Sequence, residues 1–245
     1  MDFAMLRADM VDSLEHETKN AISSSKVAKA LRSVPRHEFV DEGHRSYLDK
    51  AFTHKGTRIL APSTVARLIE ALKINKNDSV LIVGAGVGYT AAVAAEIAGG
   101  RHVHAIDITR QMVLEARENL AAAGYRDVLV DCKDGANGLP RYAPYDRILI
   151  EAAVSDPPQS LLGQLADEGR LVMPEGSVDQ TLVAYVDGHL IEDFGPVAFD
   201  PLLVEGEEHG AIERNRTARE DRERKAREAQ SRGGWEHNWI NWDER

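Results

Sequence analysis

Apolar residues recur at helical spacing near the start of the chain, at Met5, Leu6, Met10 and Leu14 and again at Val27, Ala30 and Leu31. The second run stops at Val34-Pro35-Arg36-His37, because proline disfavours helix at the residue before it. Residues 47–60 have mixed polarity around Gly56 and read as an ordered loop. Pro62 then opens a helix with Val65, Leu68, Ile69 and Leu72 along one face. From residue 79 to about 175 short apolar runs alternate with helical stretches, the pattern of a parallel sheet. It predicts strands at 79–83, 102–107, 128–131, 146–150 and 170–173, and helices at 89–98, 110–123 and 158–165. Two further strands, 181–186 and 190–194, flank Asp187-Gly188, a strong hairpin signal.

These elements divide the chain into a helical region with a loop, residues 1–75, a Rossmann-like α/β region, 76–204, and a final segment, 205–245. About half of the final segment is charged, and Glu220–Arg224, Asp221–Lys225 and Glu223–Arg227 are opposite-sign pairs at i,i+4, so a solvated helical arm is predicted. All three tryptophans, Trp235, Trp239 and Trp242, follow Gly233-Gly234 at i, i+4 and i+7. On a helix they form one stripe, which either folds back on the main domain or anchors a protein partner or second subunit.

Composition narrows the function classes. A 245-residue chain that is 43% hydrophobic can bury a sizeable core. No apolar run approaches the roughly 20 residues of a membrane span, and Met1–Met5 lack the basic and apolar regions of a secretory signal. A net charge of -10 argues against sequence-independent nucleic-acid binding. The lone cysteine, Cys132, precludes an intrachain disulfide and cysteine-based zinc fingers, and it reads as an inert, half-buried side chain of a cytoplasmic protein. His102 and His104 share a predicted strand face; without a third ligand they read as structural rather than metal-binding.

The chemistry is concentrated in Val80-Leu81-Ile82-Val83-Gly84-Ala85-Gly86-Val87-Gly88-Tyr89, a buried strand running through a glycine turn into a helix. Glycines permit a tight turn and let a ligand approach backbone N–H groups. Asp107, 19 residues beyond Gly88, ends the next strand, where a carboxylate can accept from both hydroxyls of a ribose. The spacing is G-x-G-x-G rather than the dinucleotide G-x-G-x-x-G, and no Gly-Lys-Ser/Thr of a P-loop follows. The turn therefore favours S-adenosylmethionine (SAM); a dinucleotide oxidoreductase is the distant alternative.

Over roughly residues 5–204 the chain resembles the protein-L-isoaspartate O-methyltransferase family. The resemblance rests on Val34-Pro35-Arg36-His37-Glu38-Phe39-Val40, the loop from Gly56 to Pro62, the glycine turn with Ala91-Ala92-Val93-Ala94, Asp134-Gly135, Pro144 to Ile148, and Gly169 to Pro174 with Gly176. It implies a class I SAM-dependent methyltransferase fold with a mostly parallel sheet flanked by helices. It also implies methylation of isoaspartyl or D-aspartyl side-chain carboxylates in damaged proteins, so a protein or peptide is the expected substrate. By the same resemblance Gly84, Ala85, Gly86 and Gly88 surround the methionine part of SAM, Asp107 takes the ribose, and Asp134 and Gly135 lie near the adenine. Tyr89 and Ile108 complete the cofactor set. Thr57, Arg58, Ile59, Leu60, Ala61 and Ser63 are expected to cover the acceptor.

The sequence also departs from the family. Its loop reads Gly-Gln-Thr-Ile-Ser-Ala-Pro-His, whereas here Gly56 to Ser63 places Leu60 at the serine and Ser63 at the histidine. Arg58 adds a cation, either a partner for an acceptor carboxylate or an exposed loop charge. Ile82 stands where the family has an acidic residue two before the first glycine, and Glu151 stands at a strand end where the family has threonine. Arg58, Ser63 and Glu151 are therefore the candidate catalytic residues, with Glu151 a possible general base. These departures keep two alternatives open: a methyltransferase with another acceptor, and a non-catalytic SAM-binding adaptor acting through the tryptophan tail.

Overall fold

The computed structural model describes residues 2–16 and 21–204. Helix α1 (Phe3–Glu15) starts at Asp2, whose carboxylate accepts from the N–H groups of Ala4 and Met5. Helix α2 (Ser25–Ser33) ends at Val34, just before Pro35. Two 3-10 turns, Arg36–Glu38 and Gly43–Tyr47, lead to strands β1 (Phe52–His54) and β2 (Thr57–Ile59) and then to helix α3 (Pro62–Leu72). The predicted loop at 47–60 is thus in part an antiparallel hairpin, pairing Phe52 with Ile59 and His54 with Thr57. Lys55 and Gly56 both have positive φ, as a two-residue primed turn requires.

The α/β region follows as β3 (Val80–Val83), α4 (Tyr89–Ala98), β4 (Val103–Asp107), α5 (Arg110–Ala122), β5 (Leu129–Cys132), β6 (Tyr145–Ile150), α6 (Gln159–Leu162), β7 (Leu165–Glu175), β8 (Gln180–Val186) and β9 (His189–Val197). The seven strands lie in the order β5-β4-β3-β6-β7-β8-β9. The first five are parallel, and β8 and β9 add an antiparallel meander. Asp187 and Gly188 turn the last hairpin with positive φ at both residues.

Alternation along β3 divides the core. Val80 and Ile82 join a cluster with residues of α1 to α5, among them Leu14, Leu31, Leu68, Val93 and Leu120. Leu81 and Val83 join a second cluster with Ile148, Ile150, Leu171 and Leu161 of α6. Right-handed crossovers explain the division: from β3 the chain winds outward to β4 and β5, then returns to β6 on the other side of β3 and winds the opposite way. The reversal opens a crevice between the carboxyl ends of β3 and β6.

Three local expectations are corrected. Helix α6 covers four residues rather than 158–165, because Leu165 already pairs with Tyr145 as the start of β7. Gln164, buried between them, fixes that change of direction by donating to the carbonyls of Asn137 and Ser160 and accepting from the Leu139 N–H. His102 lies in a 3-10 turn before β4, not on the strand with His104, and His104 stacks on Tyr142 with centroids 4.3 Å apart. Cys132 is exposed rather than half-buried, since it ends β5 at the sheet's outer edge.

Candidate functional site

The register of the parallel strands brings the sequence-predicted residues to one edge. Val83 is level with Ile106 and with Ile150, so Gly84, Asp107 and Glu151 emerge side by side, and Asp107 is level with Cys132 of β5. Asp134 and Gly135 follow directly after β5. The N–H groups of Gly84 and Ala85 both donate to the Ile106 carbonyl, folding the turn across the end of β4.

Each glycine of the turn has its own reason. Gly84, Gly86 and Gly88 all have positive φ, which side chains rarely adopt. Around Gly86 the space a Cβ would enter is open, leaving a bare backbone cradle. At Gly88 a Cβ would come within 3.2 Å of Leu120 Cγ, so the missing side chain lets α4 start close against α5. Gly135 is buried, and a Cβ there would lie 2.6 Å from Val83 Cγ1.

Asp107 ties the cradle together. One carboxylate oxygen accepts from the Gly86 N–H at 3.0 Å and the other from the Thr109 N–H at 2.8 Å. Burial pushes its carboxyl above the usual range, opposed by these N–H donors. Each oxygen retains capacity to accept a further hydrogen bond. Asp134 accepts from the Ala136 N–H, and the Ile108 carbonyl accepts from the Cys132 thiol.

Glu151 carries an unsatisfied oxygen at this edge. Its backbone N–H donates to the Val83 carbonyl, but its Oε1 is shielded from water and has no hydrogen-bond partner. Burial pushes its carboxyl up to about 8; the Thr90 hydroxyl of α4 opposes the rise and the Asp107 charge adds to it.

The β1–β2 hairpin holds the predicted acceptor residues. Lys55 at its turn pairs with Glu115 of α5 at 2.7 Å, and Arg58 on its return strand donates to the Ala198 carbonyl beyond β9 at 3.3 Å. Arg58 is thus anchored to backbone on one side. Ile59 is buried opposite Phe52, and Thr57 faces His54. Ala61 precedes α3, and the Ser63 N–H donates to Asp49.

The residue that sequence reasoning underestimated is Arg36. It is fully buried, donates to the carbonyls of Ser46 at 2.9 Å and Leu60 at 2.7 Å, and lies 4.6 Å from the centre of the Tyr89 ring. One side chain therefore connects the 3-10 turns, the acceptor loop and the first residue of the glycine-turn helix. The only signal was its place in the Val34–Val40 block, read there as family likeness.

This architecture has counterparts. The sequence model of the protein-L-isoaspartate(D-aspartate) O-methyltransferase family matches residues 7–203. A protein-L-isoaspartate O-methyltransferase of Ignicoccus hospitalis is 40% identical over 193 residues, covering 75% of this chain and 92% of that protein. One of Methanocella arvoryzae is 44% identical over 178 residues, covering 69% and 94%. Among solved structures, a protein-L-isoaspartate O-methyltransferase aligns with a TM-score of 0.69 at 27% identity, over 79% of this chain and 64% of the other. A Plasmodium falciparum structure described as a protein-L-isoaspartate O-methyltransferase shares the fold, with a TM-score of 0.71 at 20% identity over 80% and 98% of the two chains.

Proposed function

The chain belongs to the protein-L-isoaspartate(D-aspartate) O-methyltransferase family, and on that premise we propose that it methylates side-chain carboxylates of isoaspartyl or D-aspartyl residues in proteins, with SAM as donor. The observation that carries the reading is the carboxyl edge itself, where a glycine cradle is tied to a half-buried aspartate beside a carboxyl with one shielded, unpartnered oxygen. These residues fit the cofactor: the turn from Gly84 to Gly88, with Tyr89 behind it, would hold the methionine part. Asp107 and Ile108 would lie at the ribose, and Asp134 and Gly135 at the adenine.

The bound cofactor supplies a methyl group already activated by a sulfonium. The acceptor is already an anionic nucleophile, so no general base is required, and Glu151 is not needed in that role. The protein's work is alignment and exclusion of water. Thr57 to Ser63 would cover the acceptor, held at a fixed height by Arg36 on the Leu60 carbonyl and by Arg58 on Ala198. The direct test supplies methyl-labelled SAM and an isoaspartyl peptide. Base-labile label on the peptide is expected. Tight SAM binding without transfer would instead favour the adaptor, and label on another acceptor a different specificity.

Asp107→Ala is expected to weaken SAM binding by about 1.5–3 kcal/mol, the range for hydrogen bonds to a charged group, and to release the Gly86 N–H as well. Calorimetry showing unchanged affinity would remove Asp107 from the site.

Leu60 offers no hydrogen bond where the family has a serine hydroxyl. Leu60→Ser is expected to increase kcat/KM for an isoaspartyl peptide by about fivefold to tenfold, about one neutral hydrogen bond. Equal turnover by both proteins would show that the hydroxyl is dispensable here.

Among the described residues, no helix is long and apolar enough to cross a membrane. The tryptophan stripe lies outside the described residues. The proposal for it rests on sequence: Trp235, Trp239 and Trp242 dock on a protein partner, a second subunit or the main domain, since each indole buries on the order of 150–250 Å² when enclosed. Deleting 233–245 is expected to alter assembly or partner capture while leaving SAM affinity nearly unchanged. Unchanged assembly together with solvent-exposed tryptophan fluorescence in the intact protein would reject docking.

A further inference from the structure

Glu151 has no role in the chemistry described so far, yet it emerges at the carboxyl end of β6 beside the glycine turn. A Cβ on Gly84 would meet Glu151 Cβ at 3.5 Å, so the side chain starts directly beside the first glycine of the turn. Its carboxyl reaches Thr90 in the first turn of α4 and senses Asp107 at the end of β4. One oxygen, Oε1, is shielded from solvent and unpartnered. Neither Thr90 nor Asp107 brings a positive charge, and a carboxyl with one shielded, unpartnered oxygen beside another carboxylate is complementary to a cation with N–H donors. An acceptor carboxylate in this position would be a third acidic group in one crevice, which Coulomb repulsion opposes.

The sequence of β3 points the same way. Ile82, two residues before Gly84, is fully buried and contributes no charge to the turn. It pairs with Leu149 of β6, two residues before Glu151. β3 thus offers the turn no acidic group of its own, and Glu151 presents one from the adjacent strand at the level of the turn.

We infer that Glu151 is a cofactor-binding residue that receives the α-ammonium group of the methionine part of SAM. The inference rests on the reading of the glycine turn as a SAM site and specifies which group holds the amino-acid end. Burial raises the carboxyl to about 8, so in the free protein it is expected to be mostly protonated at pH 7. When the ammonium arrives the proton leaves to solvent and a carboxylate–ammonium pair forms, so charge balances with about one proton released per ligand bound. The groups facing Glu151 are the Thr90 hydroxyl on α4 and the Asp107 carboxyl on β4, which is itself raised by burial.

The test compares two ligands by calorimetry, in buffers of differing ionisation enthalpy at pH 7. S-adenosylhomocysteine carries the ammonium, and 5′-methylthioadenosine lacks the amino-acid end. Glu151→Gln is expected to weaken S-adenosylhomocysteine binding roughly 10- to 100-fold, the equivalent of a charge-assisted hydrogen bond. It is also expected to abolish the proton release and to leave 5′-methylthioadenosine affinity within about twofold, which shows in the same experiment that the site is folded. Equal loss for both ligands, or no loss for either, overturns the inference, as does proton release that persists in the variant. Wild-type protein that binds neither ligand refutes the SAM reading itself and this inference with it, whereas wild-type binding of both with an unselective variant refutes only the role of Glu151.

Discussion

Arg36→Ala is expected to destabilise the protein by about 3–5 kcal/mol, measured by urea unfolding with an unchanged m-value. The guanidinium is fully buried and donates to two backbone carbonyls, Ser46 and Leu60, in segments with no ladder partner at those positions. Truncation leaves both carbonyls unpaired and opens a cavity beside the Tyr89 ring. Burial lowers the pKa of Arg36, so the charge is itself disfavoured there, and removing it returns part of the loss. Arg36→Met fills most of the volume without replacing the hydrogen bonds and is expected to cost less, about 1–3 kcal/mol. If alanine costs under about 1 kcal/mol, the two carbonyls have found other partners and Arg36 does not hold the acceptor loop.

Glu151→Gln is expected to stabilise the ligand-free protein at alkaline pH. The folded carboxyl is raised to about 8 against an ordinary value of 4.5. Below pH 4.5 both folded and unfolded chains carry the proton, so the wild-type protein suffers no penalty. Between 4.5 and 8 the unfolded chain releases it while the folded chain retains it, and stability declines by up to 1.4 kcal/mol per pH unit. Above about 8 the loss levels off at an accumulated value on the order of 3–5 kcal/mol. Glutamine has no such slope at this site. Unfolding curves at pH 5 and pH 8.5, without ligand, should therefore show a small difference between wild type and variant in acid and a gain of several kcal/mol in base. A pH-independent difference would mean that the carboxyl is ionised in the folded protein throughout.

Most of the sheet is legible in the sequence because buried parallel strands carry apolar runs: Val80–Val83 follows Asp78-Ser79, and Ile148–Ile150 follows Asp146-Arg147. Asp187-Gly188 announces its hairpin because both residues tolerate positive φ. The β1–β2 hairpin is hidden for the complementary reason. Its turn is Lys55-Gly56, and lysine is no signature of a left-handed position. Helix α6 is cut short by Gln164, whose hydrogen bonds join residues brought together only by folding. At the site, spacing is enough to place Gly84 to Gly88 and Asp107 on one edge. It does not reveal that Arg36 is buried or that Glu151 Oε1 lacks a partner, since both depend on the packing of segments distant in sequence.

The two hydrogen bonds of Asp107 have a further consequence. With Gly86 and Thr109 already fastened to this carboxylate, the turn has its shape before any ligand arrives. The entropy of immobilising that backbone is spent during folding, so little of it remains as a penalty on association. Binding should resemble a key entering a rigid lock: a fast, single-phase approach without a slow conformational step, and a heat-capacity change no larger than the apolar surface of the ligand accounts for.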